Sequence, residues 1–199
     1  MKCAPEYDEV RPGLYYWQVY EPAVKTDLSC CAVETREGLV FCDPAPLGPQ
    51  PLAELTAGRK PRGIVLTNGN HERNAAVLAR QYEIEIWAAT RARGEVAATR
   101  WFEPGERLFG EMDAVSLAGF APGETALWIG ETLILGDAII NIAPYGFAVL
   151  PEKYCADAKA GRESLKQLLL RRVSVLCFAH GLPIVSGAQP KLDRLLDQS

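Results

Sequence analysis

Three short polar segments hold most of the side chains in this sequence that suit proton transfer or metal ligation: Thr67-Asn68-Gly69-Asn70-His71-Glu72-Arg73, Gly136-Asp137 and Ala179-His180-Gly181. The chain has 2 histidines, and both fall in these segments. An imidazole beside a carboxylate serves general acid–base catalysis or binds a metal ion. His71 therefore reads as a general base, a metal ligand or a polar loop residue. Asp137 reads as a ligand or as the cap of a turn, and His180 as a ligand or as a histidine bonded to Asp137 or to a backbone carbonyl. Asn68 and Asn70 flank Gly69, a turn-forming combination in its own right. Glu72 also suits the start of a helix, where a carboxylate meets the positive end of the dipole.

Each segment follows an apolar run: 62–66 before the first, 132–135 before the second and 173–178 before the third. Side chains at the ends of neighbouring strands converge on one rim, so these loops can build a single pocket. Further strands are expected at 13–20, 29–34, 38–43, 84–88, 114–117 and 125–129, from aromatic and β-branched enrichment between turn residues. Apolar residues at helical spacing predict helices at 74–82 and 162–172. Shorter helices are expected at 52–57 and 190–196, with a weak one at 94–99. Strands, helix, strands and helix in that order suit an α/β fold of two mixed sheets packed face to face with helices outside, an αββα sandwich, formed by one domain over 1–199.

In spacing and context the three segments resemble the metallo-β-lactamase superfamily, including its glyoxalase II-like hydrolases. There a strand ends in Thr-His-x-His-x-Asp-His, a turn reads Pro-Gly-His-Thr-x-Gly, a strand ends in Gly-Asp and a last strand ends in Gly-His-Gly. The counterparts here are residues 67–73, 118–123, 135–138 and 179–183. Asp43, at the end of Leu39-Val40-Phe41-Cys42, resembles the family's structural aspartate, which orders the ligand loop.

The departures bear on the chemistry. Three imidazoles would hold a first zinc, and the resemblance places Asn68, Asn70 and Phe120 there, none a good zinc ligand. For a second zinc it places Glu72, Arg73, Asp137 and His180, and a guanidinium cannot ligate a cation. Arg73 is then expected to replace the metal's charge and pair with Asp137 or Glu72. What the resemblance implies is a metallo-β-lactamase-fold protein without the dinuclear zinc site: a metal-free small-ligand-binding member or pseudoenzyme, with no cofactor. The alternative is a hydrolase of an ester, thioester or amide that retains one divalent metal such as zinc, held by Asp137, His180 and His71 or Glu72. The expected pocket comprises Asn68, Asn70, His71, Glu72, Arg73, Phe120, Asp137 and His180, with the aromatic segment of Tyr145 and Phe147 as either a pocket wall or ordinary core.

A net charge of -4 and a pI near 5.3, with basic residues interspersed among acids, argue against nucleic-acid binding. No stretch approaches the roughly 18 apolar residues that span a bilayer, and the first residues lack the apolar core of a secretory signal, so a cytoplasmic protein is expected. The 6 cysteines lie mostly within apolar runs and lack metal-binding spacing, so they read as small buried residues.

Overall fold

In the computed structural model, which describes residues 2–197, the chain forms two stacked sheets flanked by helices. Residues 1, 198 and 199 of the expected domain lie outside that description. Strands β1 (Asp8–Arg11), β2 (Leu14–Glu21), β3 (Thr26–Thr35) and β4 (Gly38–Cys42) form an antiparallel meander. Helix α1 (Pro49–Thr56) then crosses to β5 (Pro61–Leu66), and α2 (Ala75–Tyr82) to β6 (Glu85–Ala89). These strands and β7 (Arg100–Phe102) extend the sheet in parallel register to seven strands in sequence order.

The second sheet starts with β8 (Arg107–Leu108), β9 (Met112–Ser116), β10 (Thr125–Ile129) and β11 (Thr132–Leu135). A separate hairpin follows, β12 (Ile139–Ile142) and β13 (Gly146–Val149). Helix α3 (Ala158–Leu165) leads to β14 (Val175–Phe178), which pairs parallel to β11, and α4 (Ala188–Asp197) closes the described chain.

Alternation along the strands sorts the core into layers. On β5, Ile64 and Leu66 face α1 and α2 with Phe41, Leu55 and Leu78, while Val65 faces the other sheet. On β10 and β11, Leu127 and Ile134 meet Val65 between the sheets, and Trp128, Leu133 and Leu135 pack outward against Leu165 of α3 and Leu192 of α4. Both faces of the central strands are buried, which is why they read as continuous apolar runs. Each fully buried Leu or Ile contributes roughly 1.5–3 kcal/mol of burial free energy. Cys30, Cys31, Cys42 and Cys177 are free and buried in these layers.

Three local readings are corrected. Residues 94–99 form no helix: a 3-10 turn at Thr90–Ala92 ends before Gly94, whose φ of 91° breaks any helical path. The helix expected at 162–172 starts earlier, because Asp157 caps the backbone N–H groups of Lys159 and Ala160, and it tightens to 3-10 geometry at Lys166–Leu170. The β12–β13 hairpin is added to the expected strands: its Ile139 to Ile142 run is short and does not alternate, and its turn holds a proline, Pro144.

Candidate functional site

The ends of β4, β5, β11 and β14 meet at one rim, as the apolar runs require. After β4 the chain turns at Asp43, whose φ of 48° lies in the left-handed region that Asp tolerates better than most residues. Its carboxylate is buried and accepts from the Thr67 amide at 2.8 Å and from the Thr67 hydroxyl. It lies 2.9 Å from His71 Nδ1, which is 3.0 Å from Thr67 Oγ1. Thr67 gives its only hydroxyl hydrogen to Asp43, so its oxygen accepts from His71, and Nδ1 carries a hydrogen. On the far side of the ring, His71 Nε2 is 3.2 Å from Asp137 Oδ1.

His180 approaches the same oxygen. Its Nδ1 is 3.0 Å from the Asp27 carbonyl, which only accepts, so this nitrogen also carries a hydrogen; its Nε2 is 3.3 Å from Asp137 Oδ1. The two rings sit 5.7 Å apart, edge to face. Both imidazoles thus have Nδ1 held by protein acceptors and Nε2 aimed at one carboxylate oxygen. That arrangement requires either a second proton on each ring or one cation shared by all three groups.

The other Asp137 oxygen, Oδ2, accepts from Asn68 Nδ2 at 3.1 Å, and the same nitrogen donates at 2.7 Å to Glu124 Oε2. Glu124 is 1% exposed and also accepts from the Ala138 amide. A Cβ at Gly136 would lie 2.6 Å from Glu124 and 2.7 Å from Thr67, so only glycine lets the Gly-Asp turn pass this close.

The charges follow from these contacts. Burial alone would lower the His71 pKa, but the carboxylates of Asp137 and Asp43 outweigh it and push it up to about 9. Burial would raise Asp137, yet His71 and His180 hold it well below the usual carboxylate range. Asp43 is likewise lowered against its burial by His71, Arg73 and Thr67. Glu124 goes the other way: burial, reinforced by the Asp137 charge, pushes it up to about 8.

Of the expected pocket residues, His71, Asp137, His180 and Asn68 come together. Asn70 is exposed, and its amide donates to Asn68 Oδ1. Glu72 turns away to accept from the Ala97 amide. Arg73 corrects the sequence reading: its guanidinium pairs with neither Asp137 nor Glu72. Instead it donates to the carbonyls of Ser29 at 2.6 Å, Asp43 at 2.9 Å and Ala179 at 3.1 Å, tying β3 to the ends of β4 and β14 across both sheets. Phe120 is a second correction. It is buried in the outer core and packs on Gly161 of α3.

The residue the sequence reading missed is Glu124. Pro122-Gly123-Glu124-Thr125 fits the Pro-Gly-His-Thr turn better than the segment starting at Ala118, four residues earlier. The backbone agrees, because Gly69 donates to Pro122 and Thr125 to Thr67, which brings Glu124 beside Asn68.

The family description of the metallo-β-lactamase superfamily matches residues 8–197. The chain belongs to that superfamily. The DIM-1 metallo-β-lactamase is similar to it at 14% identity, covering 98% of this chain and 99% of that one with a TM-score of 0.75. VMB-1 follows at 12% identity, 100% and 99% coverage and 0.74. The metallo-β-lactamase from Pontibacter korlensis stands at 13%, 98% and 99%, and 0.73. No curated protein sequence matches the chain significantly. At such identities the superfamily's shared fold is what the solved structures carry over. Among the described residues no helix is long and apolar enough to cross a membrane.

Three of these residues are chemically suited to hold one metal ion together. His71, Asp137 and His180 present three ligand atoms within 4.8 Å of one another. Tetrahedral bonds of about 2.0–2.2 Å would place neighbouring donors about 3.3–3.5 Å apart, close to the two nitrogen–oxygen separations seen. Asn68, Asn70 and Glu124 offer no imidazole, and the Asn68 amide turns its NH2 group inward.

Proposed function

We propose that this superfamily member is a hydrolase reduced to a single divalent-metal site, held by His71 Nε2, Asp137 Oδ1 and His180 Nε2, acting on an ester, thioester or amide. The observation that carries this reading is the paired commitment of both Nδ1 atoms to protein acceptors, which leaves both Nε2 atoms facing one carboxylate oxygen. Metal-ligating histidines are oriented in this way by their outer partners. A divalent ion at such a site supplies Lewis acidity and lowers the pKa of water.

The chain's own groups do the rest. Asp43 and Thr67 fix the His71 ring and its tautomer, and the Asp27 carbonyl does the same for His180. Asn68 holds Asp137 against Glu124, so Asp137 keeps Oδ1 toward the histidines. Glu124 accepts from Asn68 and from the Ala138 amide and so fixes the floor of the site.

A second reading is favoured by the raised His71 pKa and by Asn68, Asn70 and Glu124 in place of imidazoles. In it the protein binds a small ligand without metal, and the His71 imidazolium between Asp43 and Asp137 replaces the cation. Calorimetric titration of chelator-treated protein with zinc separates the two. One zinc per chain, lost in His180→Ala, together with metal-dependent turnover in a panel of chromogenic esters, thioesters and amides, supports the hydrolase. Failure to bind zinc, iron or manganese overturns it in favour of the metal-free member.

A further inference from the structure

We propose that the cavity between the β12–β13 hairpin and α4 is a binding site for a small organic anion with an aromatic body. The cavity measures about 340 Å³, within the usual range for small-molecule sites, and is lined by Asn141, Phe147, Ile184, Lys191, Arg194 and Leu195. Its chemistry is divided. Phe147 and Ile184 form an apolar wall that is fixed in place: the Phe147 ring meets Phe178 edge to face at 5.8 Å, and Ile184 exchanges backbone hydrogen bonds with Leu176 of β14. An apolar wall alone would be ordinary outer core.

Two cations at the rim change that reading. Lys191 and Arg194 lie three residues apart on α4, hence on one face of the helix, and both are exposed. Among the described residues neither side chain has an ion-pair or hydrogen-bond partner. The chain has 25 acidic residues against 21 basic ones, and eight of its other arginines form ion pairs. Asp193, the acid between them in sequence, is engaged by Gln189 Nε2 at 2.7 Å. Two unneutralised cations over an aromatic wall match a carboxylate or similar anion carried on a flat apolar group.

The site is separate from the metal ligands, so the inference does not rest on the proposed hydrolysis. It adjoins them through the backbone: the Asn141 amide donates to the His180 carbonyl at 3.0 Å, and Asn141 bridges Gly181.

The test uses naphthalene-2-carboxylate and its neutral counterpart 2-naphthalenemethanol, titrated into the intact protein and followed by amide chemical shifts. The carboxylate should saturate with shifts centred on β12–β13, Ile184 and α4, and the alcohol should bind at least about tenfold more weakly. Each rim cation at such exposure is worth up to about fivefold, so Lys191→Ala with Arg194→Ala should weaken the carboxylate by about tenfold or more while leaving the alcohol unchanged. No saturable binding, shifts centred elsewhere, equal binding of the two probes, or a double variant that binds the carboxylate unchanged would each overturn the proposal. Comparison of the two probes on the unmodified protein needs no variant.

Discussion

His71 lies between two carboxylates, with Nδ1 2.9 Å from Asp43 Oδ2 and Nε2 3.2 Å from Asp137 Oδ1. The inner contact sets which ring nitrogen faces outward, and the outer one decides what that nitrogen can hold. Removing the inner carboxylate charge with Asp43→Asn should therefore weaken zinc binding about 10–100-fold, the usual effect of losing an outer partner of a ligating histidine. Asp137→Asn should weaken it further, since it removes a ligand. Calorimetry reads both, and an Asp43→Asn variant that binds zinc as well as the parent would show that the inner contact plays no part in ligation.

Arg73 adopts a φ of 41°, uncommon for a long side chain, and donates to three carbonyls, one within β3 and one each just after β4 and β14. Charge-assisted bonds to half-buried carbonyls contribute about 1.5–3 kcal/mol each before losses to desolvation and side-chain order. Arg73→Ala should thus cost about 3 kcal/mol in urea denaturation. Arg73→Lys should recover less than half, because an ammonium lacks the planar fork that reaches three acceptors. Arg73→His should bring no gain in zinc affinity, since the guanidinium is directed at backbone and not at Asp137. A gain in that variant would show that residue 73 reaches the cluster.

How far the sequence carried is visible in these residues. The buried strand 64–66, the helix after the 68–73 loop and the convergence of Asp137 with His180 follow from hydrophobic period and strand ends, both local signals. The roles of Arg73 and Glu124 depend on partners far away in sequence, at Ser29, Ala179, Asn68 and Ala138. A motif position says where a residue sits, not which way its side chain turns. Arg73 occupies the place of a ligand yet bends under the site, and His71, in a variable position of the motif, takes the contacts instead. Glu124 was legible in Pro122-Gly123-Glu124-Thr125, but a register four residues earlier put Phe120 in its place.

Phe120 gives a direct check. Phe120 is 4% exposed and packs on Gly161, whose Cβ position would fall 2.9 Å from the ring. Phe120→Ala should cost about 3–5 kcal/mol, as for other large core deletions, and leave zinc affinity within about twofold. Glu124→Ala should do more to the metal site, because it frees Asn68 from its shorter bond and loosens the clamp on Asp137. Urea denaturation with zinc titration on each variant distinguishes a core role from a site role. A Phe120→Ala protein that folds normally but loses zinc would restore Phe120 to the pocket wall.

The protonation states predict how the metal-free protein responds to alkali. His71 is raised from 6.5 to about 9 in the fold, so the stability it contributes is complete below about pH 6.5 and is lost as pH rises through about 9. Glu124 is raised from 4.5 to about 8, and its contribution declines above pH 4.5 and is gone beyond about 8. Asp43 and Asp137 are lowered, so they act in the opposite direction and lose their contribution only as pH falls below the ordinary carboxylate range. Between pH 6 and 9 the two raised groups act together, and chelator-treated protein should lose on the order of 5 kcal/mol of stability in urea melts, about half from each group. Glu124→Gln cannot ionise, so it should flatten the profile between about pH 4.5 and 6.5, halve its slope between 6.5 and 8 and leave the loss between 8 and 9 in place. His71→Gln should halve the slope between 6.5 and 8 and abolish the loss between 8 and 9. A parent protein as stable at pH 9 as at pH 6 would mean that His71 is not held as an imidazolium between Asp43 and Asp137, and the metal-free reading would fail with it.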